Sequence, residues 1–381
     1  MTILVTGADG YVGWPTVLRL ADRIDDRIVA VDNLARRRWV TEVGGVSAVP
    51  IDPATTRFGG DEQISFIETD LTEYAAVRRL LRVFEPRTVV HLAAQPSAPY
   101  AGIDGERAGF TQTNNLTGTL NLIHGLDAEG LHETYLIETT TTGVYGAPTF
   151  TIPEGGATME HRGQRDTVPY PAMGGSWYHQ SKAFDAANLR LGSREFGMPI
   201  TDVRTAIVYG ASTPETQRTG RPTRFDFDYF FGTVVNRFCA QAIAEYPITV
   251  YGAGAQRKPM VGLEDAVESL VRLVERGPPD DQTTVEVLNQ VTRPVAIVEL
   301  AETIEDVAEG HGLETEVVHI DNPREEDETH AMEIDNDGFG ALLGGEAQAL
   351  TDGIADIFAS VLPHRGRVVS HEDRFLPESL R

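Results

Sequence analysis

The hydrophobic pattern of this 381-residue chain alternates between short apolar runs and longer amphipathic stretches. Short apolar, β-branched runs favour buried strands, whereas apolar residues spaced three and four apart favour helices. Strands are predicted at residues 2–6, 27–31, 64–68, 88–92, 135–138 and 201–208. Because helical stretches separate these strands, the pattern predicts an α/β fold with a doubly wound parallel sheet. Beyond residue 208 the pattern loosens, which indicates a smaller, mixed α/β lobe over residues 209–381, with segments that cross back to the first domain.

The first apolar run leads into a glycine-rich turn, Gly7-x-x-Gly10-x-x-Gly13, and then into a helical pattern. Strand, glycine turn and helix in this order are the context of a dinucleotide-binding fingerprint, in which the helix N-terminus holds a pyrophosphate. Asp32 ends the second strand, where a carboxylate binds both ribose hydroxyls and repels a 2′-phosphate. Residues 1–208 are therefore predicted to form a Rossmann-type domain that binds NAD, although the arginines from Arg36 onward would suit a phosphate.

Further cofactor contacts are predicted at the strand ends, since ligands of such sheets bind beyond the carboxyl ends of the strands. The predicted set comprises Tyr11, Val12, Asn33, Arg36, Asp70, Leu71, Leu92, Asn115 and Val208. A helix N-cap is an equally open interpretation of Asp70. His91 lies within a buried-strand pattern and is predicted to be a core histidine.

Tyr178 and Lys182 are four residues apart, so on a helix they occupy one face. A tyrosine has a pKa of about 10, and a neighbouring ammonium favours the phenolate, which makes it a base nearer neutrality. Such a base could take a proton from a sugar hydroxyl while the carbon gives a hydride to a nicotinamide. The spacing alone is common on helix surfaces, but with the dinucleotide fingerprint it indicates a dehydrogenase-type site.

Acidic residues dominate the charge, with 57 Asp and Glu against 32 Lys and Arg and a formal net charge of −25. This charge argues against nucleic acid or an anionic membrane as a partner. Lys182 and Lys258 are the only lysines, which suggests a halophilic protein or, alternatively, a GC-biased genome. The single cysteine and the lack of a signal peptide or membrane span predict a cytoplasmic protein. No Cys and His spacing typical of a metal site occurs in the sequence.

With these residues in view, the chain resembles the extended short-chain dehydrogenase/reductases that modify nucleotide sugars, and among them the UDP-sulfoquinovose synthase family. The resemblance covers nearly the whole chain. It is carried by Val31-Asp32-Asn33-Leu34-x-Arg36-Arg37, Ser97-Ala98-Pro99-Tyr100, Gln112-x-Asn114-Asn115, Tyr178-His179-x-Ser181-Lys182, Arg224-x-Asp226-x-Asp228, Asn236-Arg237-Phe238-Cys239, Thr249-Val250-Tyr251-Gly252 and Asn322-Pro323-Arg324.

The resemblance implies a bound NAD and the conversion of UDP-glucose and sulfite to UDP-sulfoquinovose through a 4-keto sugar. It implies that Thr141, Tyr178 and Lys182 are catalytic, with His179 as a candidate acid or base for elimination across C5 and C6. A packing role for His179 stays open. The implied and charge-based substrate contacts are Gln95, Thr141, Asn236, Arg237, Thr249, Tyr251, Arg257 and Arg324, and Lys258 is a further cation that stands out in so acidic a chain. The family further implies a homodimer built through a helix bundle.

Some positions depart from the family's pattern. The arginine of the family's Gln-Arg-Ser-Ala-Pro-Tyr is Pro96 here, and a glutamate of its Thr-x-Gly-x-Tyr-Gly motif is Val144. Because a cation and a carboxylate are both lost, the sugar and its acceptor stay open, and a UDP-sugar 4-epimerase is the alternative. A 4,6-dehydratase is disfavoured, since Thr142 and Gly143 stand where it uses carboxylates. A non-catalytic NAD-binding regulator would have no need of the intact catalytic set.

Overall fold

The computed structural model describes residues 1–170, 174–280, 284–322 and 332–380. Its strands are β1 Thr2–Thr6, β2 Arg27–Asp32, β3 Ile64–Glu68, β4 Thr88–His91, β5 Tyr135–Thr141, β6 Gly156–His161, β7 Gln164–Pro169, β8 Ile200–Thr205, β9 Ile207–Tyr209, β10 Ile248–Tyr251, β11 Arg257–Gly262, β12 Glu286–Gln290, β13 Arg293–Ala296 and β14 Val317–Ile320. Its helices are α1 Gly13–Arg23, α2 Ala35–Glu42, α3 Ala54–Arg57, α4 Tyr74–Phe84, α5 Ala98–Ala101, α6 Gly105–Ala128, α7 Trp177–Phe196, α8 Pro214–Thr219, α9 Val234–Ala244, α10 Leu263–Arg276, α11 Ile297–Gly310, α12 Asp337–Leu343, α13 Leu350–Val361 and α14 Arg365–Val369.

Seven parallel strands form the central sheet in the order β12-β8-β5-β4-β1-β2-β3. The order reverses at β1, where Val5 lies between Ala30 of β2 and Val90 of β4. Such a reversal leaves a crevice at the carboxyl ends of β1 and β4, which is where ligands of doubly wound sheets bind. The predicted α/β, Rossmann-type sheet is confirmed.

Both faces of the central sheet are covered by helices, because successive side chains of each strand point to opposite faces. Ile3 and Val5 of β1 pack into one apolar cluster, which includes residues of α1 and α10. Leu4 of the same strand packs into another cluster, with residues of α4, α6 and α7. A strand buried on both faces therefore appears in the sequence as a continuous apolar run.

The run predicted as one strand over residues 201–208 is divided between two sheets. β8 pairs with β5 in the central sheet, whereas β9 pairs with β11 in a three-stranded sheet of the second lobe. The seventh central strand, β12, comes from residues 286–290 and pairs with β8. The exposed hairpin of β6 and β7 was not predicted. A division of the chain into domains at residue 208 remains a proposal.

The second lobe has its own core, in which α9, α11 and α13 pack together around Phe238, Leu300 and Phe358. It is joined to the glycine turn by a segment that precedes α9. Trp14 Nε1 donates to the carbonyl of Arg221 at 2.9 Å, and Thr223 Oγ1 donates to the carbonyl of Tyr11 at 2.7 Å. Within the described residues, no helix is long and apolar enough to cross a membrane.

Candidate active site

A cavity of about 840 Å³ lies between the carboxyl edge of the central sheet and the second lobe. This volume is within the range of sites for small molecules and cofactors. The predicted site residues that line it are Gly7, Gly10, Tyr11, Val12, Gly13, Asp32, Asn33, Arg36, Asp70, Leu71, Leu92, Thr141, Tyr178, His179, Lys182, Val208, Arg237, Thr249 and Tyr251. Most of the predicted set is therefore brought together at one place.

The glycine turn between β1 and α1 can be built only from glycine at two of its positions. Gly7 has a positive φ of 69°, and a Cβ there would lie 2.7 Å from the backbone of Leu92 and Ala93. A Cβ on Gly13 would lie 2.0 Å from the carbonyl oxygen of Gly7. The backbone is thus open toward the N-terminus of α1, where a pyrophosphate can approach the amide groups. The cradle fits a dinucleotide.

Asp32 ends β2 at the wall of the cavity and is held by backbone amides. Its Oδ2 accepts from the Asp9 N–H at 2.9 Å, and its Oδ1 accepts from the Leu34 N–H at 2.7 Å. Burial raises the pKa of Asp32 to about 6, so the carboxylate is ionised at neutral pH. The side chain of Asn33 donates to Asp70 at 3.0 Å, and both side chains line the cavity together with Asp32. This arrangement suits the ribose hydroxyls of NAD.

The arginines that follow Asp32 are engaged within the protein. Arg36 donates from Nε and Nη2 to Asp226 Oδ2 at 3.0 and 2.8 Å. Arg37 forms a two-pronged pair with Asp9, with both distances 2.7 Å. Arg38 donates to the backbone carbonyl of Asn33 at 3.1 Å. A 2′-phosphate would have to compete with these bonds, so the structure favours NAD over the alternative of NADP.

The catalytic candidates meet where β5 ends and α7 begins. Thr141 is the last residue of β5, and its Oγ1 accepts from the Gly143 N–H at 3.1 Å, which leaves the hydroxyl proton to be donated into the cavity. Tyr178 and His179 are in the first turn of α7, where Ser176 caps the helix by accepting from the His179 N–H at 3.1 Å. The rings of Tyr178 and His179 lie 5.3 Å apart.

The lack of a side chain at Gly143 leaves the space that the His179 ring occupies. A Cβ on Gly143 would lie 2.3 Å from Cδ2 and 2.5 Å from Nε2 of that ring. The ring therefore packs directly on the turn that follows Thr141, and it lines the cavity. His91, by contrast, is a core histidine as predicted. Its Nδ1 lies 2.6 Å from Thr6 Oγ1, and burial lowers its pKa well below the usual value.

Lys182 lies one helical turn from Tyr178 and is also paired with two buried carboxyl groups. Its Nζ donates to Glu138 Oε1 at 2.9 Å and to Asp185 Oδ2 at 3.1 Å. Burial alone would lower the pKa of Lys182, but these two carboxylates raise it, so the ammonium stays charged. Tyr178 borders the cavity, yet burial of its phenol raises its pKa, and Lys182 offsets only part of this effect. Glu138 was missed because a single carboxylate within a strand carries no motif.

The second lobe supplies cations and hydroxyls to the far end of the cavity. The guanidinium of Arg237 lies 5.4 Å from the ring centre of Tyr251. Lys258 lines the cavity, whereas its neighbour Arg257 does not. Arg257 instead donates to the carbonyl of Pro294 at 2.8 Å. Because successive residues of a strand point to opposite faces, β11 can aim only one of the two cations inward. Of this pair, Lys258 is therefore the cation that faces the cavity, and a substrate contact by Arg257 stays a prediction.

Three other predicted residues lie behind the wall of the cavity. Gln95 is buried and donates to Thr111 Oγ1 at 2.8 Å, while its backbone N–H donates to Asn115 Oδ1 at 2.8 Å. These two residues shape the loop after β4 from within and do not line the cavity, so their assignment as direct contacts stays a prediction. Asn236 lies 3.5 Å from the hydroxyl of Tyr11 and likewise supports a lining residue. Arg324 lies outside the described residues.

The two departures from the family's pattern differ in where they lie. Pro96 lines the cavity, so the missing arginine changes its surface. Val144 is fully buried in a small apolar cluster with Tyr145 and Ile152. The missing glutamate is therefore replaced by core packing rather than by another group in the cavity.

Residues 3–289 match the model of the NAD dependent epimerase/dehydratase family. The chain is 35% identical to the chloroplastic UDP-sulfoquinovose synthase of Spinacia oleracea, with 93% of this chain and 74% of that protein covered. It is 34% identical to the UDP-sulfoquinovose synthase of Sulfolobus acidocaldarius, with 100% of this chain and 97% of that protein covered.

Solved structures show the same fold at lower sequence identity. The UDP-glucose 4-epimerase of Thermotoga maritima, solved with UDP-glucose, has a TM-score of 0.71 at 22% identity and covers 97% of this chain and 100% of its own. The UDP-glucuronic acid 4-epimerase of Bacillus cereus, solved with UDP-glucuronic acid and NAD, has a TM-score of 0.69 at 20% identity. It covers 95% of this chain and 99% of its own.

Proposed function

The chain belongs to the NAD dependent epimerase/dehydratase family, and we propose that it acts there as a UDP-sulfoquinovose synthase. The observation that carries the proposal is the full-length similarity to two such synthases, combined with the meeting of Thr141, Tyr178 and Lys182 at one cavity. In the proposed reaction the C6 hydroxyl of UDP-glucose leaves as water and the sulfur of sulfite takes its place. A hydride leaves C4 and returns to it, so the cofactor ends unchanged.

NAD, when bound, supplies a temporary acceptor for the C4 hydride. The glycine turn and Asp32 would hold its pyrophosphate and ribose. Tyr178 takes the proton of the C4 hydroxyl and later returns it, and Lys182 lowers the cost of the phenolate that forms. Thr141 donates a hydrogen bond to the same substrate oxygen and thereby orients it. The residues thus divide into a base, an electrostatic partner and a donor.

His179 is the titratable group placed to serve the middle of the reaction. Its ring lines the cavity beside Tyr178 and is fixed by Gly143. Once C4 is a ketone, the C5 proton is acidic, and an imidazole has the pKa suited to removing it. As an imidazolium, the same ring would attract sulfite. It could in this way replace the positive charge of the family's arginine, whose position is occupied by Pro96 here. We propose sulfite as the acceptor on these grounds.

The UDP portion of the substrate would occupy the far end of the cavity. Arg237 and Lys258 are cations suited to a diphosphate, and Thr249 and Tyr251 offer hydroxyls beside them. We propose UDP-glucose as the first substrate to test. These cations are notable in a chain whose net charge is −25, because they oppose the overall field where an anion must bind.

The test is a product assay by mass spectrometry in concentrated KCl, with enzyme, NAD and UDP-glucose incubated with and without sulfite. A sulfonate-bearing UDP-hexose that forms only with sulfite is expected. Tyr178→Phe is the matched control, since it removes one hydroxyl and should abolish the product. UDP-galactose formed without sulfite would overturn the synthase and establish a UDP-sugar 4-epimerase. The lack of a cation at Pro96 and the epimerase-like fold favour that second candidate.

We further propose that the protein is a homodimer that pairs through α6 and α7. Trp177, Phe184 and Leu191 are exposed apolar residues seven positions apart, so they form one stripe along α7. Phe110 of α6 is exposed as well, and α6 packs against α7. Light scattering after gel filtration tests this assignment. Phe184→Glu should yield monomers, while Val369→Glu, at a similarly exposed apolar residue of α14, should not.

We also propose that the protein works in the cytoplasm at high salt. The formal charge of −25 and the presence of only two lysines support the requirement for salt, and the single cysteine fits a reducing cytoplasm. Salt screens repulsion between surface carboxylates over distances beyond about 3 Å at 1 M. Activity that requires molar KCl would support the proposal, and full activity in dilute buffer would contradict it.

A further inference from the structure

A cluster of charged side chains is buried directly beneath the catalytic candidates. Lys182 and Asp185 come from α7 and Glu138 comes from the middle of β5. Lys182 is 2% exposed, and both carboxylic acids are fully buried. Around one ammonium, two carboxyl groups lie within 3.1 Å. Two buried carboxylates against one cation leave an excess negative charge, which is costly in a low-dielectric interior unless one group holds a proton.

Glu138 is the better candidate to hold that proton. Its Oε2 is buried without a hydrogen-bond partner, as is Asp185 Oδ1, and its Oε1 contacts Lys182. The hydroxyl of Thr119 favours the ionised form of Asp185, whereas Asp185 and Asp202 both disfavour an ionised Glu138. The other charged or titratable groups around it are Asp185, His91 of β4 with Nε2 at 3.5 Å, and Asp202 of β8. His91 is held neutral by burial, and Asp202 is paired with Arg204 at 3.0 Å.

We propose that Glu138 is a positioning residue, whose carboxyl group sets how much positive charge Lys182 presents to Tyr178. An ammonium has three N–H donors, and Glu138 and Asp185 take two of them. With Glu138 neutral, Lys182 is opposed by Asp185 alone and favours the phenolate of Tyr178. When Glu138 loses its proton, two anions offset the ammonium and the phenolate becomes harder to form. One proton on a group that does not touch the substrate thus tunes the base.

The electrostatics of the cluster agree with this geometry. Burial raises the pKa of Glu138 to about 8, with Lys182 opposing and Asp185 adding to the increase. Burial also raises the pKa of Tyr178, an effect that Lys182 counters and that Asp185 and Glu138 reinforce. We therefore expect activity to fall at alkaline pH through loss of the proton of Glu138 rather than that of Lys182, whose pKa lies above its usual value.

The proposal rests on Tyr178 as the base of the proposed function, and its test needs no sugar substrate. In the NAD-loaded full-length enzyme, the ultraviolet absorption of the Tyr178 phenolate is followed against pH, with Tyr178→Phe subtracted. Glu138→Gln should lower the midpoint by about one pH unit, which is tenfold in phenolate at a given pH. Glu154→Gln is the matched control, because Glu154 is a partly buried acid bonded to the backbone of Asn289 and Gly338. It should leave the midpoint unchanged.

An unchanged midpoint in folded, NAD-loaded Glu138→Gln overturns the proposal. Should that variant fail to fold, infrared spectra of the wild-type protein labelled at glutamate carry the test. They should contain a buried protonated carboxyl band that disappears as the pH rises through about 8. Absence of this band at neutral pH would equally overturn the proposal. A shifted midpoint without any sulfonated product would support Glu138 and reject the synthase, so the two failures are distinguishable.

Discussion

Replacing Gly143 with alanine should separate the role of His179 from that of Tyr178. The new Cβ would lie 2.3 Å from Cδ2 of the His179 ring, whereas apolar contacts are comfortable at about 3.5 to 4.0 Å. The ring must therefore move by more than about 1 Å, and a misplacement of about that size can cost about 100-fold in rate. Overpacking of this kind costs about 1–3 kcal/mol when it cannot relax, but the ring borders the cavity and can turn into it.

Two rates measured on the same variant test this reasoning. Reduction of bound NAD on mixing with UDP-glucose reports the first hydride transfer and should stay within about threefold of the wild-type rate, since Tyr178 is untouched. Sulfonated product, measured by mass spectrometry, should form about 10- to 100-fold more slowly. Gly109→Ala on α6 is the control, because its Cβ would meet no atom within 4 Å. An equal loss of both rates in Gly143→Ala would show that the glycine positions Thr141 rather than His179. Unchanged rates would refute the inference that Gly143 fixes the position of the His179 ring.

Three further outcomes are expected. Lys258→Ala should raise KM for the UDP-sugar about tenfold or more, whereas Arg257→Ala should have a KM near that of the wild type, because of these two residues Lys258 alone lines the cavity. Equal effects of the two substitutions would contradict the inference that β11 directs Lys258 into the cavity. Arg19→Met should lower the free energy of unfolding in urea by about 3–5 kcal/mol, since buried Arg19 pairs with Glu215 at 2.9 Å. Burial raises the pKa of Glu215, but hydrogen bonds from Arg19 lower it overall, so this loss should shrink as the pH falls below the usual pKa of a glutamate. The melting temperature should rise with KCl by calorimetry, and a flat response would contradict salt adaptation.

Much of the fold was predictable because the central strands are buried on both faces and appear as apolar runs. β1 and β3 begin and end at the predicted residues, and the helix that carries Tyr178 and Lys182 runs from Trp177 to Phe196. The division of the last run into β8 and β9 was not predictable from periodicity, because only Ala206 lies between the two strands and no glycine or proline marks the change of sheet. The hairpin of β6 and β7 is mostly exposed, so it lacks the apolar side that indicates a strand.

The sequence predicted which residues line the cavity where one motif brings them together, as in the glycine turn. The sequence could not show which side chain faces the cavity where strand register decides it, as with Arg257 and Lys258 in β11. Adjacent residues of one charge look equivalent in the sequence, and the alternation of the strand decides which one faces the cavity.

Glu138 represents the hardest case for prediction from sequence. It is separated from Lys182 by 44 positions, and β5 must lie beside α7 before the two can meet. Its strand reads as ordinary β-sequence, in which a carboxylate would be expected to face solvent. Because the residue is fully buried, its charge must be matched by a partner or neutralised by a proton, and that requirement is visible only in three dimensions. The groups that tune a catalytic base therefore have to be sought among buried charges with no motif, and Glu138→Gln examines the first of them.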